Sequence, residues 1–397
     1  MQRLVVILSD IEISSGDQYD DFPHTTYLEN FLAKYNLGSY PEQEIDLVFN
    51  GDTFDFLKME VDGKFPHLID DQIALKKLER VKYAHGTFFE GIKSFLSSGN
   101  KPRRVHFITG NHDMELLFPE VQRRIVGLCG GSGQIFFPGF SLDIGDLHIE
   151  HGNQIDNLFA IDPYRPFLNY KGKKILNLPW ATVTLLNAIL PHRDDFFELD
   201  RIKPRNEIFN ELPSFKEFAL SLLWDYWTGD YLKDYFRSSD PLKKVSWSML
   251  KEAFKRSFFF FNADVELENE LHQKMITTDQ YKVYVLGHTH DPKLVSFGDR
   301  KIIQAGCIRD EFMLKKDGTF SLIPKSYVEV TLENNLVTTT NLLEFSGPEL
   351  LTERYPSSLS AYHDKLQRKL GSADKRLKSR IDIENQELRE SQETKES

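Results

Sequence analysis

Five short polar blocks at the ends of apolar runs constrain this chain more than any other feature. They are Asp10-Ile11-Glu12, Gly51-Asp52-Thr53-Phe54-Asp55, Gly110-Asn111-His112-Asp113, His151-Gly152-Asn153 and Gly287-His288-Thr289-His290. Four follow strongly β-like stretches, LVVILS, IDLVFN, RVHFIT and KVYVL, and the His151 block follows another, DLHIE. Carboxylate, amide and imidazole groups at successive strand ends can converge on one rim, and open α/β sheets place ligands at the carboxyl ends of their strands. Taken singly, an Asp or Asn after a strand is a turn residue or a helix cap, and a lone His is structural. Five blocks in this order outrun that reading.

Between the blocks, the apolar pattern predicts alternating strands and helices. A strand over 4–8 leads to a helix over 25–35 and a strand over 45–49. An amphipathic stretch over 70–97 carries Ile73, Leu75, Leu78, Val81, Phe88, Phe89, Ile92 and Phe95 at roughly helical spacing. A strand over 104–108, a helix over 114–128 and short β runs at 134–137, 140–144 and 146–150 follow. After a strand over 282–286, hairpins are expected at 293–297 with 300–304, turning at Gly298-Asp299, and at 326–332 with 335–344, through Asn334-Asn335. The segment between His151 and Gly287 differs in character. It holds all four tryptophans (Trp180, Trp224, Trp227 and Trp247), the run Phe258 to Phe261, and helix-like stretches near 173–190, 214–236 and 246–260.

The chain has 397 residues and a net charge of -11, which argues against a broad nucleic-acid surface. A phosphorylated substrate is still admitted, because bound cations supply local positive charge. Cys129 and Cys307 are the only cysteines, so no disulfide framework is expected and both read as reduced, buried thiols. The first apolar run is too short for a secretory signal and ends in the first acidic block. No segment has the unbroken apolar length of a transmembrane helix. A cytoplasmic location is therefore expected.

The blocks resemble the pattern of the calcineurin-like metallophosphoesterase superfamily: D-x-H, G-D-x-x-D, G-N-H-D/E, a later His-Gly and a closing G-H-x-H. The resemblance covers residues 1–155 and 280–345 and departs at one position, where Glu12 stands in place of His. It implies an α/β fold (α+β in some schemes): a two-layer β-sandwich flanked by helices, with metals at one sheet edge. On this reading residues 1–157 and 281–345 form the core, 158–280 a helical cap insertion, and 346–397 a charged tail, solvated or disordered.

The activity implied is hydrolysis of a phosphoester or pyrophosphate bond at two divalent metal ions, which neutralise phosphoryl oxygens and activate a water. Such a site needs a bridging carboxylate with oxygen and imidazole ligands on both sides, and Asp52 suits the bridge. By resemblance, Asp10, Glu12 and His290 join it around one metal, and Asn111, His151 and His288 around the other. His112 is not a ligand in the family; it points at the scissile phosphate and stabilises charge or protonates the leaving oxygen. Asp113 is expected to fix its tautomer, and Asp55 to support the site without ligating. A carboxylate at Glu12 favours a hard ion, with Mn²⁺ expected ahead of Mg²⁺, Fe or Zn. The alternative is that Glu12 points away and its metal is weakly held.

The family's protein Ser/Thr phosphatases carry G-D-x-x-D-R-G; Phe56 after Asp55 disfavours that class. The UDP-diacylglucosamine pyrophosphohydrolases of lipid A synthesis are closer in layout. They have a helical insertion and a closing G-H-T-H followed one residue later by Pro, as in Gly287 to Pro292, and Asp162-Pro163-Tyr164-Arg165 resembles their segment after the lone His. They carry Arg where this chain has His112, and a shorter insertion. A small-molecule or lipid-linked phosphorylated substrate is expected. A catalytically degenerate metal- or ligand-binding relative and a nuclease-type phosphodiesterase are the alternatives. Arg165, Arg193, Arg201 and Arg205 offer guanidinium forks suited to phosphate, or solvate a helical surface. The apolar stretch Ile175 to Leu190, flanked by Lys171, Lys173, Lys174 and Arg193, reads as a buried helix or as a peripheral membrane contact of the insertion. His24, His67, His85, His106, His148, His192, His272 and His363 match no motif and are expected to be structural or at the surface. The oligomeric state is open.

Overall fold

A computed structural model describes residues 2–131, 133–204, 207–208, 211–226, 239–243, 280–345 and 355–357, with single positions at 229, 273, 361, 364 and 368. Trp227, Trp247, Arg205, Phe258 to Phe261, His272, His363, the 246–260 stretch and nearly all of the charged tail lie outside the described residues.

The strands in chain order begin with β1 (Gln2–Leu8), β2 (Glu44–Asn50), β3 (Arg103–Ile108), β4 (Ile135–Gly139), β5 (Ser141–Ile144) and β6 (Leu147–Glu150). Next come β7 (Phe167–Tyr170), β8 (Lys173–Leu176) and β9 (Ile202–Lys203), then β10 (Val283–Leu286), β11 (Pro292–Phe297) and β12 (Arg300–Ala305). The last are β13 (Phe312–Leu314), β14 (Phe320–Leu322), β15 (Ser326–Glu333) and β16 (Leu336–Glu344). A six-stranded sheet has the order β16-β15-β1-β2-β3-β4, and a five-stranded sheet the order β11-β12-β10-β6-β5. β1 to β4 are parallel neighbours. In the second sheet, β10 is parallel to both β6 and β12.

Side chains along β1 alternate between the two faces of the sheet, as a pleated strand requires, and both sets are buried. Val5 and Ile7 join Val48, Ile108, Ile149, Val283, Val285 and Ile303 in the layer between the two sheets. Leu4, Val6 and Leu8 face the other way, into a core with Leu47, Phe49, Val105 and Phe107 and with Leu28, Leu78, Phe88, Ile92 and Val121 from the helices. Both faces of the central strands are covered, so they read as unbroken apolar runs. The helices on that outer face are α1 (Thr25–Ala33), α2 (Asp71–Ala84), α3 (Gly86–Ser97) and α4 (Pro119–Leu128).

The 70–97 stretch is two helices, not one. The chain leaves helical geometry at His85 (φ -127°, ψ 42°), whose Nε2 lies 2.6 Å from Asp20 Oδ2, and restarts at Gly86. α2 begins on a capping carboxylate: Asp70 accepts from the Ile73 N–H at 3.0 Å. The predicted 114–128 helix is likewise divided, a short turn over Met114–Leu117 preceding α4, which starts at Pro119.

The described part of the insertion mixes strands with helices. β7 and β8 form a hairpin through Lys171 and Gly172, both at positive φ. α5 (Trp180–Thr184) runs on through a π-helical turn (Leu185–Ile189), and α6 (Arg193–Asp200) and α7 (Pro213–Asp225) follow. The apolar stretch from Ile175 turns inward: Ile175, Leu176, Leu178, Val183, Leu186 and Leu190 pack in the same core as Leu4 and Phe49. β9 pairs with β13 beyond the closing block, in a small sheet with β14. Cys129 and Cys307 are free and buried. Among the described residues no helix is long and apolar enough to cross a membrane.

Candidate metal centre

The loops after β1 and β2 continue the parallel ladder past the strand ends. Asp10 N–H donates to Gly51 O (3.3 Å), Glu12 N–H to Asp52 O (2.9 Å) and Ile13 N–H to Thr53 O (3.0 Å). Backbone pairing thus sets Asp10, Glu12 and Asp52 side by side. Asp10 Oδ2 accepts from Ser9 Oγ (2.5 Å) and His288 N–H (3.1 Å), which brings the loop after β10 onto the same rim. Asp10 Oδ1 faces His290 Nε2 at 3.2 Å and His151 Nε2 at 3.9 Å.

Asp52 stands at the centre. Its Oδ2 is 3.0 Å from His151 Nε2, and its Oδ1 accepts the His112 N–H at 2.8 Å. His151 places Nδ1 3.0 Å from Asn50 O, so Nδ1 donates to that carbonyl and Nε2 is the atom that faces Asp52. Ligand atoms of Asp52, His151 and His288 lie within 4.8 Å of one another. His290 Nδ1 is 2.6 Å from Glu311 Oε1, which turns its Nε2 toward Asp10 and, at 3.7 Å, Glu12 Oε1. A carboxylate behind a histidine in this way fixes the tautomer a metal needs.

Strain collects here. Asp10, Glu12, Asp52, His288 and His290 all sit in left-handed backbone, with φ between 48° and 69°. Such conformations are uncommon outside glycine and cluster at functional sites. Two glycines make room for the side chains. A Cβ on Gly51, itself at φ 75°, would meet the His151 ring at 2.4 Å, and one on Gly110 would come within 2.0 Å of Asp52 Oδ1.

Asp113 is a correction. It does not hold the His112 ring; its Oδ1 accepts Gly110 N–H (2.7 Å) and its Oδ2 accepts Thr53 N–H (2.8 Å), clamping two blocks together. The carboxylate at His112 Nδ1 is Asp55 Oδ1, at 3.0 Å. Neighbours in a tight turn send their side chains apart, whereas Asp55 arrives from the adjacent strand end. Glu12 does reach the site, but its Oε2 is held by Lys58 Nζ (3.1 Å) and Arg309 Nη1 (2.9 Å). Neither cation was singled out from sequence, nor was Glu311. Their only sequence signals were position: Lys58 lies three residues past Asp55, and Arg309 just beyond the end of β12.

The enclosure is strongly negative. Burial alone would lower the His112 imidazole, yet Asp52, Glu12 and Asp55 raise it to about 10. Burial likewise opposes the rise of His151, which Asp52 and Asp10 lift to about 9. Burial would raise Asp52, but His151 and His112 hold it below the usual carboxylate range. Burial pushes Asp113 up to about 7, helped by the Asp52 charge.

Of the candidate arginines, Arg201 is buried against Asp310 and Asp21, Arg193 lies over the Tyr19 ring and beside Glu60, and Arg165 is exposed. His24, His67, His85, His106 and His148 pair with Asp310, Asp240, Asp20, Asp46 and Asp143, away from the metal-ligand blocks.

No family model matches the chain, and no curated protein does. Solved structures overlap it loosely. A dimetal phosphatase from Danio rerio is 8% identical, with 86% of this chain and 99% of that one covered at a TM-score of 0.32. Vacuolar protein sorting 29 from Cryptosporidium parvum is 11% identical, with 87% and 99% covered at 0.27. Phosphopantetheinyl hydrolase from Mycobacterium tuberculosis is 11% identical, with 77% and 90% covered at 0.25. At these values nothing passes from those proteins to this site. The chain itself presents a two-sheet sandwich with helices outside it and the polar blocks at the strand ends, the architecture that the sequence resemblance implies.

Proposed function

We propose that this protein hydrolyses a phosphoester or pyrophosphate bond with two divalent cations. One observation carries the reading. Asp10 Oδ1, Glu12 Oε1, Asn111 Oδ1 and His151 Nε2 are buried and accept no hydrogen bond. Each such atom costs about 1–3 kcal/mol when left unsatisfied, and four on one rim call for a common partner. All four are oxygen or imidazole lone pairs, a donor set suited to Mn²⁺, Mg²⁺, Fe or Zn. Asp10, Glu12, Asp52 and His290 would hold one ion, and Asp52, Asn111, His151 and His288 the other. Bound there, such ions neutralise phosphoryl charge and lower the pKa of a water.

The chain's own groups do the rest. Asp55 holds His112 at Nδ1, leaving Nε2 to stabilise charge on a phosphoryl oxygen or deliver a proton to the leaving oxygen. The His112 N–H donates to Asp52 Oδ1, which ties the backbone of the proton carrier to the carboxylate that would bridge the ions. Within the class, a small-molecule or lipid-linked phosphorylated substrate suits the net charge of -11 better than nucleic acid does. A cytoplasmic enzyme is the corresponding cellular picture; the apolar stretch from Ile175 to Leu190 packs in the core, which favours its reading as a buried helix over a membrane contact.

The test is turnover of p-nitrophenyl phosphate against bis(p-nitrophenyl) phosphate with Mn²⁺ present, after chelation, and after Mn²⁺ is restored. Turnover that follows the metal supports the proposal. Unchanged turnover after complete chelation, or none on these and a panel of nucleotides and phospholipid precursors, would sink it.

A further inference from the structure

We propose that Lys58 and Arg309 are positioning residues for Glu12: they hold its Oε2, leave only Oε1 to a cation, and make the Asp10, Glu12 and His290 position the weaker, exchangeable one. This rests on the reading of the rim as a divalent-cation centre.

A free carboxylate offers a hard cation either oxygen or both. Here Lys58 Nζ (3.1 Å) and Arg309 Nη1 (2.9 Å) both bond Glu12 Oε2, while Oε1 accepts no hydrogen bond and lies 3.7 Å from His290 Nε2. At 1% exposure Glu12 cannot swing out to solvent. The two cations are themselves anchored. Lys58 Nζ reaches Asp21 Oδ2 (2.6 Å), Asp55 Oδ2 (3.3 Å) and Asp200 Oδ2 (3.3 Å). Arg309 reaches Asp200 Oδ2 (3.1 Å), the Asp200 carbonyl (3.0 Å) and Glu311 Oε1 (3.0 Å). A cation binding Glu12 therefore competes with two fixed positive charges for one carboxylate. The other position has no such rival, since among the described residues no Lys or Arg forms an ion pair with Asp52. The imidazole that the family pattern places at residue 12 would need no balancing cation. The two positive charges thus answer the substitution of a carboxylate for it. Asp200 ends α6, so the same pair of cations joins the insertion to the ligand set.

The experiment is titration of the metal-free full-length protein with Mn²⁺, by calorimetry and by the electron paramagnetic resonance signal of unbound Mn²⁺. Wild type should take up two ions of unequal affinity. Lys58→Met should tighten the weaker ion by about tenfold, the effect of releasing Glu12 Oε2 from a charged hydrogen-bond partner, and should tighten the other ion by less. Lys58→Arg, which keeps the charge, should retain the wild-type value. In a Glu12→Gln background, Lys58→Met should tighten the weaker ion clearly less, by about threefold, because only the direct repulsion between Lys58 and the ion is left to relieve. Arg309→Met, read the same way, serves if Lys58→Met does not fold. A wild type that holds one ion and a Lys58→Met variant that holds two also supports the inference. An unchanged or weakened second ion in Lys58→Met, or equal tightening in the Glu12→Gln background, overturns it and leaves the proposed function standing. A wild type that takes up no Mn²⁺, Mg²⁺, Fe²⁺ or Zn²⁺ defeats that function, and this inference with it.

Discussion

A histidine whose Nδ1 is claimed by an oxygen has only Nε2 left for other work. His112, His151 and His290 are all held this way, by Asp55, the Asn50 carbonyl and Glu311. Their outcomes on substitution should differ. His112→Ala should lower kcat by about 10²–10⁴ with metal content unchanged, the usual contribution of a positioned acid; loss of an ion, counted by mass spectrometry, would make it a ligand instead. Asp52→Asn should abolish turnover and reduce the ion count while the circular dichroism spectrum stays native, since Asp52 would belong to both proposed ligand sets. Retention of two ions with normal rates would remove Asp52 from the bridge. Gly51→Ala forces left-handed alanine backbone and a Cβ into the His151 ring. It should cost activity even where the fold survives, and normal turnover would show that the rim can give way. At this scale the sequence announced the residues that converge on the rim, because each block is contiguous. It was silent on Lys58, Arg309, Glu311 and Asp200, whose roles exist only through tertiary convergence. It misplaced Asp113 because adjacency along a chain says nothing of direction.

Strands proved more legible than helices, for a physical reason. β1, β2 and β3 are covered on both faces, so Val, Ile, Leu and Phe fill them and their ends stand out. The Asn334-Asn335 turn also read correctly, since both residues take the left-handed backbone that a tight hairpin demands (φ 51° and 65°). The break at His85 was hidden, because the apolar spacing runs through it and only Gly86 marks the restart. The β7–β8 hairpin was missed because Ile175 and Leu176 continue an apolar run that looks helical from there on. One element carries a pH signature. Asp46 on β2 is buried, which alone would raise its carboxyl, but hydrogen bonds from His106 and Arg3 on the flanking strands outweigh burial and lower it. A carboxyl depressed in the folded state contributes stability above its unfolded pKa, about 3.9, and loses that contribution as pH falls through the folded value. Asp46→Asn should therefore cost about 2 kcal/mol at pH 7 and cost progressively less below pH of about 4. Urea midpoints measured from pH 7 to 2.5 check this; a penalty independent of pH would mean packing, not charge, explains it.

At the scale of the whole molecule, the described part of the insertion is no detachable lid. Leu186 shares a core with Leu4 and Phe49, and β9 pairs with β13. Leu186→Ser should lower the stability of the entire chain by about 3 kcal/mol or more, seen as a shifted urea midpoint. Liposome flotation of the parent protein tests the membrane contact separately. A variant as stable as wild type would show that the stretch packs elsewhere. The route of the chain through the two sheets has a consequence in time. β10 is inserted between β6 and β12, and β1 between β2 and β15, so strands made early wait for partners made late. The donors on His288 and His290 do not exist until the ribosome has passed them, more than a hundred residues after His151. A nascent chain can gather Asp10, Asp52, Asn111 and His151 but not close the rim, and its half-sheets must keep from pairing wrongly meanwhile. On the proposed function, metal capture would thus be a late event in the life of each molecule, marking the moment its two distant halves have met.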